Sequence, residues 1–391
     1  MKMSGIVLGA LAISLFGCAG PTDTIRSGDF YRHIEYLSSP ELEGRNNGTP
    51  GGKKAAEYVV SEMERIGLQP GGKDGWFHHF RTRRARGGDV APFNGANVIG
   101  LLRGTALPDE YIVINAHHDH LGIVKGTLRP GADDNASGVA MILELAEAFI
   151  QNPPRRSLLF VSFDAEEDGL VGSREFVASG LYDPKSIVAD VCFDLIGGDF
   201  YPTEGNRVFA LGSESSPELS HIVDTAERGG LDIAKGGAYI IEPFGFSRSD
   251  YRAFRDRKIP YVFFSSGTPW YYHSSHDTID KINWPKIQKV GRYAYHVVKA
   301  LCDLDSRPTF TRGALPNREE AQLIKESIQA ALGHDEVVIG DRLRKQGLGE
   351  VAKLDKLLEK EIFEKKDRSV IQKAMIWLFR VQASQIKWKA K

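Results

Sequence analysis

Four stretches of this sequence end an apolar run in residues able to bind cations or move protons. Tyr111 to Ala116 runs into His117-His118-Asp119-His120, and Leu158 to Phe163 runs into Asp164-Ala165-Glu166-Glu167. Val191 to Phe193 runs into Asp194, and Tyr261 to Phe264 is soon followed by Tyr272 and His273. A fifth group, Asp133-Asp134-Asn135, stands just before a helical stretch that begins at Ser137. Each fragment alone reads as a solvated turn, so the signal is their convergence. A pair of divalent ions needs several imidazoles and carboxylates, one carboxylate to bridge, and one left unbound to take the proton of a shared water. A mixed His/carboxylate set without thiolate favours zinc, and cobalt or manganese suit the same donors. Two such ions acidify a shared water and clamp both oxygens of a tetrahedral intermediate, which suits peptide-bond hydrolysis at neutral pH.

These side chains meet only if the apolar runs lie side by side. Runs at 111–116, 157–163, 188–193 and 260–264 have the look of buried strands, and amphipathic stretches such as 137–150 and 216–228 separate them. That alternation predicts an α/β fold: a three-layer α/β/α arrangement around a mostly parallel, mixed sheet. Ligands of such sheets bind outside the carboxyl ends of the strands, where the polar groups fall. Helical spacing also marks 28–38 and 51–66, the latter closing at Gly67, and a last core helix at about 285–304. Ser306-Arg307-Pro308 marks a boundary after a catalytic domain at 28–305. Beyond it, a helical C-terminal extension over 311–391 has segments at 318–332, 348–365 and 369–383. The extension carries 17 basic and 12 acidic side chains. Its last stretch, with Trp377 and Trp388, is expected to pack on the catalytic domain; lying on an anionic membrane is the rival reading.

The 391 residues are 42% hydrophobic and 26% charged, with 50 Lys+Arg against 51 Asp+Glu, so the chain is globular. A net charge of -1 excludes the basic surplus of a nucleic-acid binder. Residues 1–17 read as a signal peptide: Lys2, an apolar stretch from Ile6 to Phe16, and small residues around them. Leu15-Phe16-Gly17-Cys18 resembles the lipobox of bacterial lipoproteins, which implies export and a membrane tether through lipid on Cys18, with 18–27 as the connecting segment. Cys192 and Cys302 are expected to be buried free thiols rather than a disulfide.

The motifs carry a further resemblance, over about residues 28–304. Leu42-Glu43-Gly44-Arg45 with Gly48-Thr49-Pro50-Gly51, Asn97 to Gly100, Ala116 to Asp119, Pro130 to Gly138, Phe163 to Glu167, Gly172-Ser173, Asp194 to Gly197, Ser249-Asp250, and His273 with Asp277-Thr278 are similar in order and spacing to the co-catalytic zinc aminopeptidases of metallopeptidase family twenty-eight. The resemblance implies two zinc ions, one held by His117, Asp134 and Asp194, the other by Asp134, Glu167 and His273. It implies Glu166 as general base, Asp119 as the carboxylate that orients His117, and Tyr272 as a phenol that stabilises the oxyanion. His273 is chosen over His276 because the family places its histidine four residues before the Asp-Thr pair. Peptides are the implied substrates.

Some residues invite a blander reading. His118 and His120 are expected to be polar loop residues, and His78-His79 to lie in an exposed loop with Arg81, Arg83 and Arg84. Asp133 could replace Asp134 if the turn shifts by one residue. No GxGxxG, GxxxxGK[ST] or Gly-x-Ser-x-Gly segment accompanies the glycines, which excludes nucleotide loops and serine hydrolases. Competing functions are a single-zinc glutaminyl cyclase-like transferase and a non-catalytic binding lipoprotein on the same fold, with carboxypeptidase action open as well. The oligomeric state is not legible.

Overall fold

The computed structural model describes residues 20, 22, 24–83, 92–200, 205–242, 249–311, 315–334 and 337–389. The expected signal peptide at 1–17 and Cys18 lie outside the described residues. The strands are β1 (Gln69–Pro70), β2 (Phe77–Arg83), β3 (Pro92–Leu102), β4 (Leu107–His117), β5 (Ile123–Val124), β6 (Thr127–Leu128), β7 (Arg156–Phe163), β8 (Ile187–Phe193), β9 (Arg207–Leu211), β10 (Asp232–Gly236) and β11 (Tyr261–Ser265). The helices are α1 (Ser27–Leu37), α2 (Pro50–Ile66), α3 (Ser137–Ile150), α4 (Val171–Ala178), α5 (Pro217–Thr225), α6 (Tyr251–Asp256), α7 (Trp284–Asp303), α8 (Arg318–Gly333), α9 (Asp341–Leu358) and α10 (Arg368–Lys389).

The main sheet runs β1-β3-β7-β4-β8-β11-β9-β10, with β2 beside β3; β5 and β6 form a small separate hairpin. β4 is parallel to β7 and β8, and β8 to β11, whereas β3 and β9 run antiparallel to their inner neighbours. The register pairs His117 with Phe163 and Phe193 with Phe264, so the four central strands end on one side. That shared end is what brings the polar groups together.

Side chains alternate across the sheet as a period of two demands. Ile112, Ile114, Phe160 and Phe264 pack under α1, α2, α3, α5 and α7. The opposite face is covered in two halves. Val113, Leu159 and Val161 meet α4 and α6, while Phe209, Leu211 and Phe263 share a cluster with Leu323, Ile328, Met375 and Leu378 of α8 and α10. The helices after residue 311 therefore complete the third layer over β11 and β9. Trp377 is buried, its indole N–H donating to Leu343 O at 2.8 Å, so this part of α10 packs on its own chain. No helix among the described residues is long and apolar enough to cross a membrane.

Local signals explain both ends of α2. Thr49 caps α2 by accepting from Gly52 N, with Pro50 in the first turn, and Gly67 closes it in the left-handed region at φ 95°. α9 departs from expectation, running 341–358 instead of 348–365. Gly347 and Gly349 argue against a helix there, yet a β-carbon on Gly347 would come within 2.4 Å of the Trp377 ring. The glycine is kept for that close approach. His78-His79 also depart, lying in β2; His78 is buried and its Nδ1 is 3.1 Å from Asn97 Nδ2. Between α1 and α3, His33 Nε2 lies 3.5 Å from Glu144 Oε1, both fully buried. Cys192 and Cys302 are buried and unpaired.

Candidate metal centre

Each polar group at the sheet end is aimed by a backbone feature. His117 is the last residue of β4, and its Nδ1 lies 3.1 Å from Asp119 O, which turns Nε2 toward the centre. Ala165, in the left-handed region at φ 58°, turns the chain after β7. Asp119 then fixes the next two residues: its Oδ1 accepts from Glu166 N at 3.0 Å and its Oδ2 from Glu167 N at 3.2 Å. Asp277 does the same for the 130–138 segment, accepting from Asp133 N at 2.8 Å and Asp134 N at 3.0 Å. This segment turns into α3 through a kink, with Asp134 (φ -107°, ψ 94°) and Asn135 (φ -131°, ψ 40°) outside helical backbone geometry. Arg45, fully buried, donates to the carbonyls of His118, Pro130 and Gly131 at 2.7–2.9 Å, and also to Leu37 O.

Asp134 stands between two sets of donors. Its Oδ1 is 3.6 Å from His117 Nε2, which is also 3.5 Å from Asp194 Oδ1 and 3.9 Å from Glu166 Oε2. Its Oδ2 is 3.1 Å from His273 Nε2, which is equally 3.1 Å from Glu167 Oε1. All five expected ligands, with Glu166, are thus gathered in one place. Tyr272 stacks on His273 with ring centroids 3.7 Å apart. His276 is exposed and packs against Trp270, as expected of a residue outside the set. Asp133 is also excluded, since its carboxylate accepts from Gly197 N, Gly198 N and Tyr271 Oη at 2.8–3.0 Å.

His117 Nε2 and Asp194 Oδ1 are buried without a hydrogen-bond partner. Buried polar atoms are normally satisfied, so these fit atoms that ligate a cation. Two trios, His117/Glu166/Asp194 and His120/Asp134/Glu167, have donor atoms within 4.8 Å of one another, and imidazoles with carboxylates form the donor set that zinc takes.

The sequence profile of peptidase family M28 matches residues 97–298, the stretch that holds every residue of this cluster. The chain belongs to peptidase family M28. It is 28% identical over 208 residues to aminopeptidase YwaD of Bacillus subtilis, covering 50% of this chain and 42% of that protein. It is 41% identical over 208 residues to a glutamate carboxypeptidase 2 homolog of Caenorhabditis elegans, covering 50% of this chain and 24% of that one. The chain therefore spans less than half the length of these curated relatives. In fold it resembles the crystal structure of BSAP, a zinc aminopeptidase from Bacillus subtilis, with a TM-score of 0.58 at 17% identity, covering 73% of this chain and 98% of that one.

The M28 cluster holds two features that sequence reasoning missed. His120 is buried, its Nδ1 2.9 Å from Glu167 Oε1 and 3.8 Å from Asp134 Oδ2, rather than a polar loop residue. His118 is buried too, but on the other side: its Nδ1 shares a hydrogen bond with Ser162 Oγ at 3.0 Å, and burial pushes its imidazole down to about 4. The second is a further part for Asp119, beyond the contact with His117 that was expected of it. Its carboxylate holds the Glu166–Glu167 backbone and lies 3.6 Å from His117 Nδ1, while its carbonyl makes the closer contact with the imidazole.

Charge within the M28 site is strongly polarised. Burial pushes the Glu166 carboxyl well above the usual range, with His117 pulling the other way. At Glu167 burial is overcome by His273 and His120, which hold it well below that range. Burial would lower His117 and His273, but Glu166 and Asp194 hold the first well above its ordinary value and Glu167 with Asp134 lifts the second to about 10. Adjacent carboxylates pushed in opposite directions are the pattern of two acids with different tasks.

Proposed function

We propose that the chain is a zinc-dependent aminopeptidase that removes N-terminal residues from peptides. The observation that carries this reading is Asp134, whose two oxygens face separate imidazole–carboxylate sets while Glu166 stands beside the first, its Oε2 3.9 Å from His117 Nε2. His117, Asp134 and Asp194 would hold one zinc, and Asp134, Glu167 and His273 the other, with His120 bonded to Glu167 as its support. Bound zinc would polarise the scissile carbonyl and acidify a shared water. Glu166 would take the proton of the attacking water and hand it to the leaving amine. Burial also keeps the Tyr272 phenol protonated, well above its usual pKa, so it can donate to the developing oxyanion. Asp119 sets the position of Glu166 through the backbone.

Hydrolysis of aminoacyl, dipeptidyl and N-blocked anilides by metal-loaded and chelator-treated protein tests this. Chelator-sensitive release of free N-terminal amino acids, with two zinc ions bound per chain, is the expected result. One bound ion with pyroglutamate formation would favour the glutaminyl cyclase reading, and no turnover with metal bound would favour a binding protein.

We also infer export and lipid anchoring from the leader and Cys18. Cys18→Ser should move the protein from the membrane to the soluble fraction, checked by fractionation and immunoblot; retention at the membrane would count against lipidation.

A further inference from the structure

We propose that the helices beyond residue 311 are part of the substrate-recognition site, α8 and α10 forming the outer wall of an apolar pocket that receives the side chain of the peptide's first residue. This rests on the aminopeptidase reading. A cavity opens from the metal centre with Asp194 and Tyr272 at its inner end and Phe209 and Phe263 of the sheet as its floor. Leu323 and Ile324 of α8 and Met375 and Phe379 of α10 form its outer wall, beside Leu195, Leu211, Ile240 and Ile241. Because Asp194 Oδ1 is 3.5 Å from His117 Nε2, the cavity and the centre share an edge. A carbonyl held at the centre has its α-carbon one bond away and the side chain two, and the cavity adjoins that position.

The lining decides what fits. Among the described residues it contains no Lys, Arg or His, and Asp194 is its one acid. A charged side chain would lose hydration there without a partner, while an aliphatic or aromatic one would gain by leaving water. The wall residues lie outside 97–298, so the matched family region does not include them. The extension therefore adjusts selectivity without touching the groups that do the chemistry.

Full-length, zinc-loaded protein should be assayed on anilides of Ala, Leu, Met, Phe, Lys and Glu. Leu, Met and Phe should exceed Lys and Glu in kcat/KM by about tenfold or more. Met375→Ala, which widens the pocket, should raise the Phe:Ala ratio, and Leu323→Phe, which fills it, should lower it. Each change should be severalfold, reaching about tenfold. Zinc content and the far-ultraviolet circular dichroism spectrum should stay at wild type and certify a folded, metal-loaded protein; a variant that fails this control is replaced by Phe379→Leu, which must raise the same ratio. Unchanged ratios with an active enzyme, or a preference for Lys or Glu, overturn the proposal alone. No hydrolysis of any substrate by wild type overturns the aminopeptidase reading and this proposal with it.

Discussion

Between α1 and α3, His33 and Glu144 approach to 3.5 Å; at the strand ends His273 and Glu167 approach to 3.1 Å. The first pair is neutral near pH 7. Burial takes the His33 imidazole down to about 3, with Arg32 adding to the effect, and takes the Glu144 carboxyl up to about 8, with Asp29 and Glu147 adding to it. Without a bound metal the second pair is charged, with His273 at about 10 and Glu167 well below the ordinary carboxylate range. Burial penalises charge in both places, so the neighbours decide. His273 faces Asp134 as well as Glu167, whereas His33 has cations nearby. Where acids are crowded out of water around imidazoles, a bound cation relieves the crowding; where one acid meets one imidazole, shedding charge is enough.

The comparison breaks first at Glu167. Glu167→Gln should remove a ligand and lower zinc content, with a loss of affinity beyond the roughly 10- to 100-fold typical of a residue that only orients a ligand. Elemental analysis of the dialysed protein checks it, and full zinc occupancy would separate charge crowding from metal demand. Next comes Glu166→Gln, which should keep both ions yet lose about 10²–10⁴ in turnover, as removal of a positioned base does. Near-normal rates would remove Glu166 from the chemistry. Asp119→Asn should cost about 10- to 100-fold in zinc affinity by loosening the Glu166–Glu167 backbone, measured by competition with a chelator.

The smallest effect lies in the neutral pair. Glu144 is raised from 4.5 to about 8, so across that window the folded state keeps a proton that the unfolded chain has released, and stability falls as pH climbs through it. His33, at about 3, stays neutral throughout the window. Glu144→Gln has no proton to lose. It should match wild type near pH 5 and exceed it at pH 9 by about 1 to 3 kcal/mol, taking about 1.36 kcal/mol per pKa unit and allowing for partial relaxation. Denaturant midpoints at both pH values check the sign; an equal offset at each would show that ionisation is not the cause.

What the sequence revealed follows from which signals are local. His117, Glu166 and Asp194 stood out because each follows an apolar strand, and strand ends are legible from hydropathy alone. His120 was hidden because the chain has left β4 by then, and no alternation says which way a loop imidazole points. Its signal would have been partner geometry: His120 N donates to Arg45 O at 3.2 Å, a contact across 75 positions of sequence. β2 was readable in principle, since Phe77 and Phe80 flank the histidines in a strand-forming stretch. For the extension the apolar faces of α8 and α10 could be read, but a helical stripe reports burial and not the partner. That it finishes the sheet and borders the metal centre emerges only from the packing of residues more than a hundred positions apart.

The wall formed by Met375 and Phe379 also bears on how the molecule is made. Synthesis has supplied every ligand of the cluster by His273, and its clamp by Asp277, but Phe379 emerges 102 residues later. At about 5–20 residues per second this is a lag on the order of 5–20 s. During that interval Phe209, Leu211 and Phe263 have no cover from α8 and α10, so an apolar face of the sheet stays open until the last helix is in place.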